Sequence, residues 1–133
     1  MITAVDTSVL LDILLGDPRF GPASRAALRA ATSQGALVVS TTVAAELAAA
    51  YEDAGRAMTA LRRMSIELVP DDESIALAAG RAWRTYRRAG GTRRRILPDF
   101  LIGAHAARTA DRLLTRDRGF YRSHFARLAV LEP

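Results

Sequence analysis

The sequence predicts an α/β domain organised around a mainly parallel sheet. Short apolar runs, several rich in β-branched residues, recur at residues 2–5, 36–39, 66–69, 113–115 and 128–131, and helix-forming stretches separate them. Strands that alternate with helices are joined by crossovers, and crossovers lay successive strands parallel. The third observation is size. A chain of 133 residues that is 50% apolar can bury one core without disulfides, so residues 1–133 are expected to fold as a single domain.

Each element has its own signal. The first run stops at Asp6-Thr7-Ser8 before apolar residues resume with helical spacing as far as Leu15, which reads as strand, turn, helix. Gly16-Asp17-Pro18 breaks that helix, and Pro22 pre-sets the start of another through Ala31, ended by Ser33-Gln34-Gly35. After the second strand, Ser40-Thr41-Thr42 is a helix-start signal with Thr42 as the expected cap. The alanine-rich stretch 43–54 is expected to be helical as far as Gly55, and residues 56–64 make a further helix. The third strand ends at Pro70, and the acidic run 71–73 opens a long helix reaching about Ala89. Gly90-Gly91 ends it, a basic loop follows, and Pro98 starts a helix through about Ala110 that feeds the fourth strand.

Composition narrows the chemistry. The chain has no cysteine, which excludes disulfides, zinc–thiolate sites and thiol nucleophiles. No basic leader precedes the first strand and no apolar run reaches the roughly 18 residues of a membrane span, so a cytoplasmic protein with no membrane partner is expected. All 19 basic residues are arginine and the formal net charge is +5, which suits an anionic partner but equally suits a GC-rich coding sequence.

The acids give the sharper signal. In a parallel α/β sheet the reactive crevice lies beyond the carboxyl ends of the strands. Asp6 follows the first strand, Glu46 lies early in the helix after the second, Asp99 opens the helix before the fourth, and Asp117 stands just past the fourth. Taken singly, Asp6 and Asp99 read as helix caps, Asp117 as a turn residue and Glu46 as an exposed helical acid. Glu46 resists this most, because with Thr42 as cap it misses the capping-box position and its helix reads as largely buried. Taken together, four segments deliver one carboxylate each to one edge. Two carboxylates about 4 Å apart repel by roughly 4 kcal/mol at an effective dielectric near 20, so the cluster calls for a cation. The chain has no lysine, and an all-oxygen set without paired histidines points to Mg²⁺ or Mn²⁺ in preference to zinc. Such a site suits phosphodiester hydrolysis by activated water. A phosphate-handling receiver-type site would need a lysine, and a dehalogenase-like phosphatase a second acid where Ser8 stands.

Four strings resemble the motifs of the PIN-domain ribonucleases, especially VapC-type toxins. They are Val5-Asp6-Thr7-Ser8-Val9-Leu10-Leu11-Asp12, Thr41-Thr42-Val43-Ala44-Ala45-Glu46-Leu47, Pro98-Asp99-Phe100-Leu101-Ile102-Gly103-Ala104-His105-Ala106 and Leu113-Leu114-Thr115-Arg116-Asp117-Arg118-Gly119-Phe120. They stand in family order across nearly the whole chain. The resemblance implies a three-layer α/β/α sandwich with a mainly parallel central sheet. It implies that Asp6, Glu46, Asp99 and Asp117 are catalytic metal ligands, with Thr7, Ser8 and Thr115 ordering the site. It also implies Mg²⁺- or Mn²⁺-dependent endonucleolytic cleavage of structured RNA such as tRNA or rRNA, a homodimer, and a VapB-type antitoxin partner in a toxin–antitoxin pair. Many relatives carry a further acid before the third motif, where this chain has Arg95-Ile96-Leu97. The alternatives are a PIN nuclease of RNA processing and a silent RNA-binding or interaction module.

Arg93, Arg94, Arg95 and Arg116 are candidate RNA-phosphate contacts, weighed against an ordinary basic loop. Trp83 and Tyr86 continue the apolar face of their helix and are expected in the core, and His105 and His124 are expected to be structural. Asp12 reads as a solvent-facing acid, with a minor alternative of positioning an arginine.

Overall fold

The computed structural model describes residues 1–92 and 97–133. The candidate arginines Arg93, Arg94 and Arg95 lie outside the described residues. The chain runs β1 (Ile2–Val5), α1 (Thr7–Leu14), α2 (Gly21–Gln34), β2 (Ala36–Val39), α3 (Thr41–Ala48), α4 (Gly55–Arg63), β3 (Ile66–Leu68), α5 (Glu73–Arg88), α6 (Leu97–Thr109), β4 (Arg112–Leu114), α7 (Arg118–His124) and β5 (Ala129–Leu131). The strands form one five-stranded sheet in the order β3-β2-β1-β4-β5. Every neighbouring pair is parallel, as the alternation of elements predicts.

This order sets the layers. The chain steps outward from β1 to β2 and β3, then returns past β1 to β4 and β5. With right-handed crossovers the helices after β1 and β2 fall on one face and those after β3 and β4 on the other. The result is the expected α/β/α sandwich, with β1 at its centre and the change of direction between β1 and β4. Ladder bonds continue past the strands there: the Asp6 amide donates to the Leu114 carbonyl at 2.9 Å, and the Thr115 amide donates to the Leu131 carbonyl at 3.0 Å. The backbone that carries the first and fourth motifs is therefore fixed by the sheet.

The main core packs Val5, Val9, Leu10, Val39, Leu47 and Leu114, all essentially inaccessible, between sheet and helices. Each such aliphatic side chain contributes about 1.5–3 kcal/mol on burial. A smaller cluster of Ile75, Ala79, Phe100 and Ala104 joins α5 to α6, with Trp83 and Tyr86 packed against it as their spacing predicts. His105 is buried with Nε2 2.8 Å from the Val69 carbonyl, and His124 packs on Tyr86, Phe100 and Phe120, so both histidines have structural partners. Close approach dictates Gly35: a Cβ there would stand 1.8 Å from the Met1 carbonyl oxygen, which accepts from the Ala36 amide at 3.0 Å.

Several boundaries differ from expectation. The cap of α3 is Ser40, whose Oγ accepts from the Val43 amide at 3.1 Å; Thr42 lies inside the helix. That helix closes at Ala48, six residues before the predicted limit at Ala54, because alanine favours helix without specifying an end. Residues 118–124, to which the sequence assigns no element, form α7, capped by Asp117, the expected turn residue. Among the described residues no helix is long and apolar enough to cross a membrane.

Candidate active site

Asp6 sits at the carboxyl end of β1 and is 6% exposed. Three donors hold its carboxylate: the Thr7 amide on Oδ1 at 2.8 Å, and the Ser8 and Thr115 hydroxyls on Oδ2 at 3.1 and 2.5 Å. These bonds favour the anion, yet burial outweighs them and the Asp6 pKa is raised above the usual aspartate value, with the Asp117 charge adding to the rise. Thr115 is itself fully buried, and its hydroxyl oxygen also accepts from the Asp117 amide at 3.0 Å. One hydroxyl thus links the first and fourth motifs. The three residues expected to order the site are all in contact with its acids.

Glu46 reaches the same place from α3. The Thr7 hydroxyl donates to Glu46 Oε1 at 2.9 Å, so Thr7 offers its amide to one acid and its hydroxyl to another. The Glu46 pKa is raised by burial of the carboxylate, with the Asp6 charge a further cause. As a residue, however, Glu46 is exposed, whereas Val43, Ala44 and Leu47 face inward. The expectation that it lies within a buried stretch is therefore corrected: it occupies the open side of α3, with its carboxylate partly shielded where Thr7 meets it.

Asp117 is exposed at the entrance to α7, where Oδ1 accepts from the Phe120 amide at 3.4 Å. Asp99 is half-buried in the first turn of α6. Tyr121 lies within electrostatic reach of all four acids. Its ring is 1% exposed, and its hydroxyl is buried without a hydrogen-bond partner among the described residues. The phenol pKa is pushed far above the ordinary tyrosine value, first by burial and then by the charges of Asp6, Asp99, Asp117 and Glu46. All four predicted acids therefore act on one buried hydroxyl. Sequence reasoning missed Tyr121, because a tyrosine four residues after Asp117 carries no signal until residues 118–124 are known to be helical.

The donor set suits a hard divalent cation. All four side chains offer oxygen only, and among the described residues no arginine forms a salt bridge with Asp6, Glu46 or Asp117. A buried, hydrogen-bonded carboxylate with acid neighbours and no salt bridge from the described arginines is an environment that Mg²⁺ or Mn²⁺ would relieve. As the side chains stand, no group of three Asp, Glu or His residues among those described encloses an ion.

Asp12 departs most from expectation. It is 4% exposed and not solvent-facing: Oδ2 accepts from Arg116 Nε at 2.7 Å and from the Ser24 hydroxyl at 2.7 Å, and Oδ1 accepts from Arg116 Nη2 at 3.0 Å. The Arg116 guanidinium also lies 4.1 Å from the centre of the Phe20 ring. The minor alternative, an acid that positions an arginine, is what the structure contains.

Comparison with known proteins agrees with this architecture. The chain is similar over its whole length to a solved structure of VapBC2 from Rickettsia felis bound to a DNA fragment from their promoter, with 16% identity, a TM-score of 0.76 and 99% of that chain covered. It is similar to VapBC-1 from nontypeable Haemophilus influenzae over 99% of this chain and 98% of that one, at 20% identity and a TM-score of 0.72. A third similar structure is FitAcB from Neisseria gonorrhoeae, with 24% identity, 98% and 96% coverage and a TM-score of 0.66. Comparison with curated protein sequences finds no match. The family profile described as PIN domain matches residues 3–125, which takes in all four acids, and the chain belongs to the PIN domain family.

Proposed function

We propose that this protein is a divalent-metal-dependent endoribonuclease and the toxin of a VapBC-type toxin–antitoxin pair. The observation that carries the nuclease reading is the Asp6 environment: a buried carboxylate held by three donors, beside Glu46 and Asp117, with no ion pair from the described arginines. Asp6, Asp99, Asp117 and Glu46 are the residues that would hold Mg²⁺ or Mn²⁺. When bound, such an ion activates water for attack on a phosphodiester and neutralises charge on its oxygens.

The chain's own residues set up that chemistry. Thr7, Ser8 and Thr115 fix the orientation of both Asp6 oxygens, and Thr7 draws Glu46 toward the same edge. Thr115 holds the Asp117 amide, which sets where that acid leaves the sheet. With neither cysteine nor lysine in the chain, hydrolysis by water is favoured over a covalent intermediate on either residue. The net charge of +5 suits RNA, and Arg93, Arg94 and Arg95 remain proposed phosphate contacts. The similarity to VapBC and FitAcB complexes supports a VapB-type antitoxin partner. A homodimer and a cytoplasmic location belong to the same proposal.

The test is cleavage of structured RNA by the purified, antitoxin-free chain with Mg²⁺ or Mn²⁺, with EDTA, and with Asp6→Asn and Asp99→Asn in parallel. Cleavage is expected only with metal and only in the unsubstituted protein. A folded protein that binds a broad panel of RNAs and cuts none would replace this reading with an interaction module.

A further inference from the structure

The fourth motif turns a corner between two acid-site residues. β4 ends at Leu114, Thr115 is fully buried, and Arg116 and Asp117 emerge at the surface before α7 begins. The Arg116 amide reaches the Ser8 hydroxyl at 3.4 Å, the Asp117 amide reaches the Thr115 hydroxyl at 3.0 Å, and the Asp117 carboxylate caps α7 at the Phe120 amide. The Arg116 side chain adds a tether to the opposite side. It crosses to the first helical pair, where Asp12 on α1 takes two of its nitrogens, Ser24 on α2 braces the same carboxylate, and the Phe20 ring lies beneath the guanidinium.

We infer that Arg116 is a positioning residue: by clamping the 115–117 corner to buried Asp12, it holds Asp117 in register with Asp6 for the shared metal. The inference rests on the four-acid reading of the site. Two features favour it over a phosphate contact by Arg116. Two of its three guanidinium nitrogens are already committed to one carboxylate, and the opposing charge is 4% exposed, so the ion pair cannot open without leaving Asp12 unpaired in the interior. The fork geometry also requires arginine, since a lysine ammonium offers a single point of attachment and no planar face to lay on Phe20.

The test measures Mn²⁺ binding without RNA, from the electron-spin signal of free Mn²⁺, in the full chain and in Asp12→Asn, Arg116→Met and Arg116→Lys. Thermal melts confirm folding, and RNA affinity is measured in EDTA. Residues that orient metal ligands typically change metal affinity 10- to 100-fold. Arg116→Met and Asp12→Asn are each expected to weaken Mn²⁺ binding about tenfold or more, with Arg116→Lys intermediate. Combining the first two is expected to add little, because they break one clamp, and RNA affinity in EDTA stays unchanged. Folded variants that bind Mn²⁺ as tightly as the unsubstituted protein would overturn the inference while leaving the four-acid reading intact. So would an Arg116→Met that keeps its Mn²⁺ affinity but loses RNA affinity, with a salt dependence reduced by about one phosphate. If Asp12→Asn fails to fold, Arg116→Lys, which keeps a cation beside Asp12, carries the same comparison. Failure of the unsubstituted chain to bind Mn²⁺ would overturn the four-acid reading and this inference together.

Discussion

Asp6 is held by three donors and is nevertheless destabilised as an anion by burial, and this conflict has a measurable sign. Its folded pKa is raised above the ordinary 3.8, so the metal-free fold binds that proton more tightly than the unfolded chain does. The stability tied to this group is fully present below the unfolded value and is lost as pH rises through the raised folded value. Asp6→Asn removes the buried charge. It is expected to raise the metal-free melting temperature at pH 7.5 by several degrees, on the order of 1 kcal/mol, while abolishing cleavage; melts from pH 4 to 8 check both the gain and its decline toward acid. Metal should have the complementary effect. Because ligands bind as carboxylates, Mn²⁺ is expected to raise the melting temperature more at pH 7.5 than at pH 5. Thr115→Val removes a hydroxyl that donates to Asp6 and leaves the Asp117 amide without that acceptor. A loss of about 1–3 kcal/mol in urea denaturation is expected, with at least tenfold slower cleavage. The acids themselves were legible because four carboxylates, each ordinary when taken singly, stand together at strand ends. Asp12 was not: only the fold brings Arg116 across 104 positions to meet it.

At the scale of elements, strands were the most legible, because parallel strands buried on both faces write continuous apolar runs. All five lie where those runs stand. Helix ends were less so. Composition alone does not stop α3, whose six residues beyond Ala48 share the same alanine-rich character, and the chain turns there to pack α4 against it. α7 is short, and its signal consists of Asp117 as cap and Tyr121 as a buried face, neither evident before the strand ahead of it is placed. The seam between α6 and α7 also sets a limit on substitution. A Cβ on Gly103 would fall 2.3 Å from the Phe125 ring. Gly103→Val is therefore expected to destabilise the protein by about 1–3 kcal/mol through overpacking, measured by the urea midpoint at unchanged slope. An alanine at this position would gain helix propensity of about 1 kcal/mol and still meet the ring.

For the whole molecule, the sheet order explains why separate motifs meet. β1 lies between β2 and β4, so Asp6 at its end stands beside the segments that carry Glu46 and Asp117, while α6 brings Asp99 from the other face. The buried Tyr121 hydroxyl lies in the field of all four charges. The central claim is that these carboxylates share a divalent cation. The most direct measurement is an anomalous difference map from crystals of the metal-free protein soaked in Mn²⁺. The account predicts a peak in bonding contact with Asp6 and with at least one of Asp99 and Asp117, absent in Asp6→Asn. A well-ordered map with no peak at this edge of the sheet, or with a peak elsewhere that survives Asp6→Asn, would contradict it.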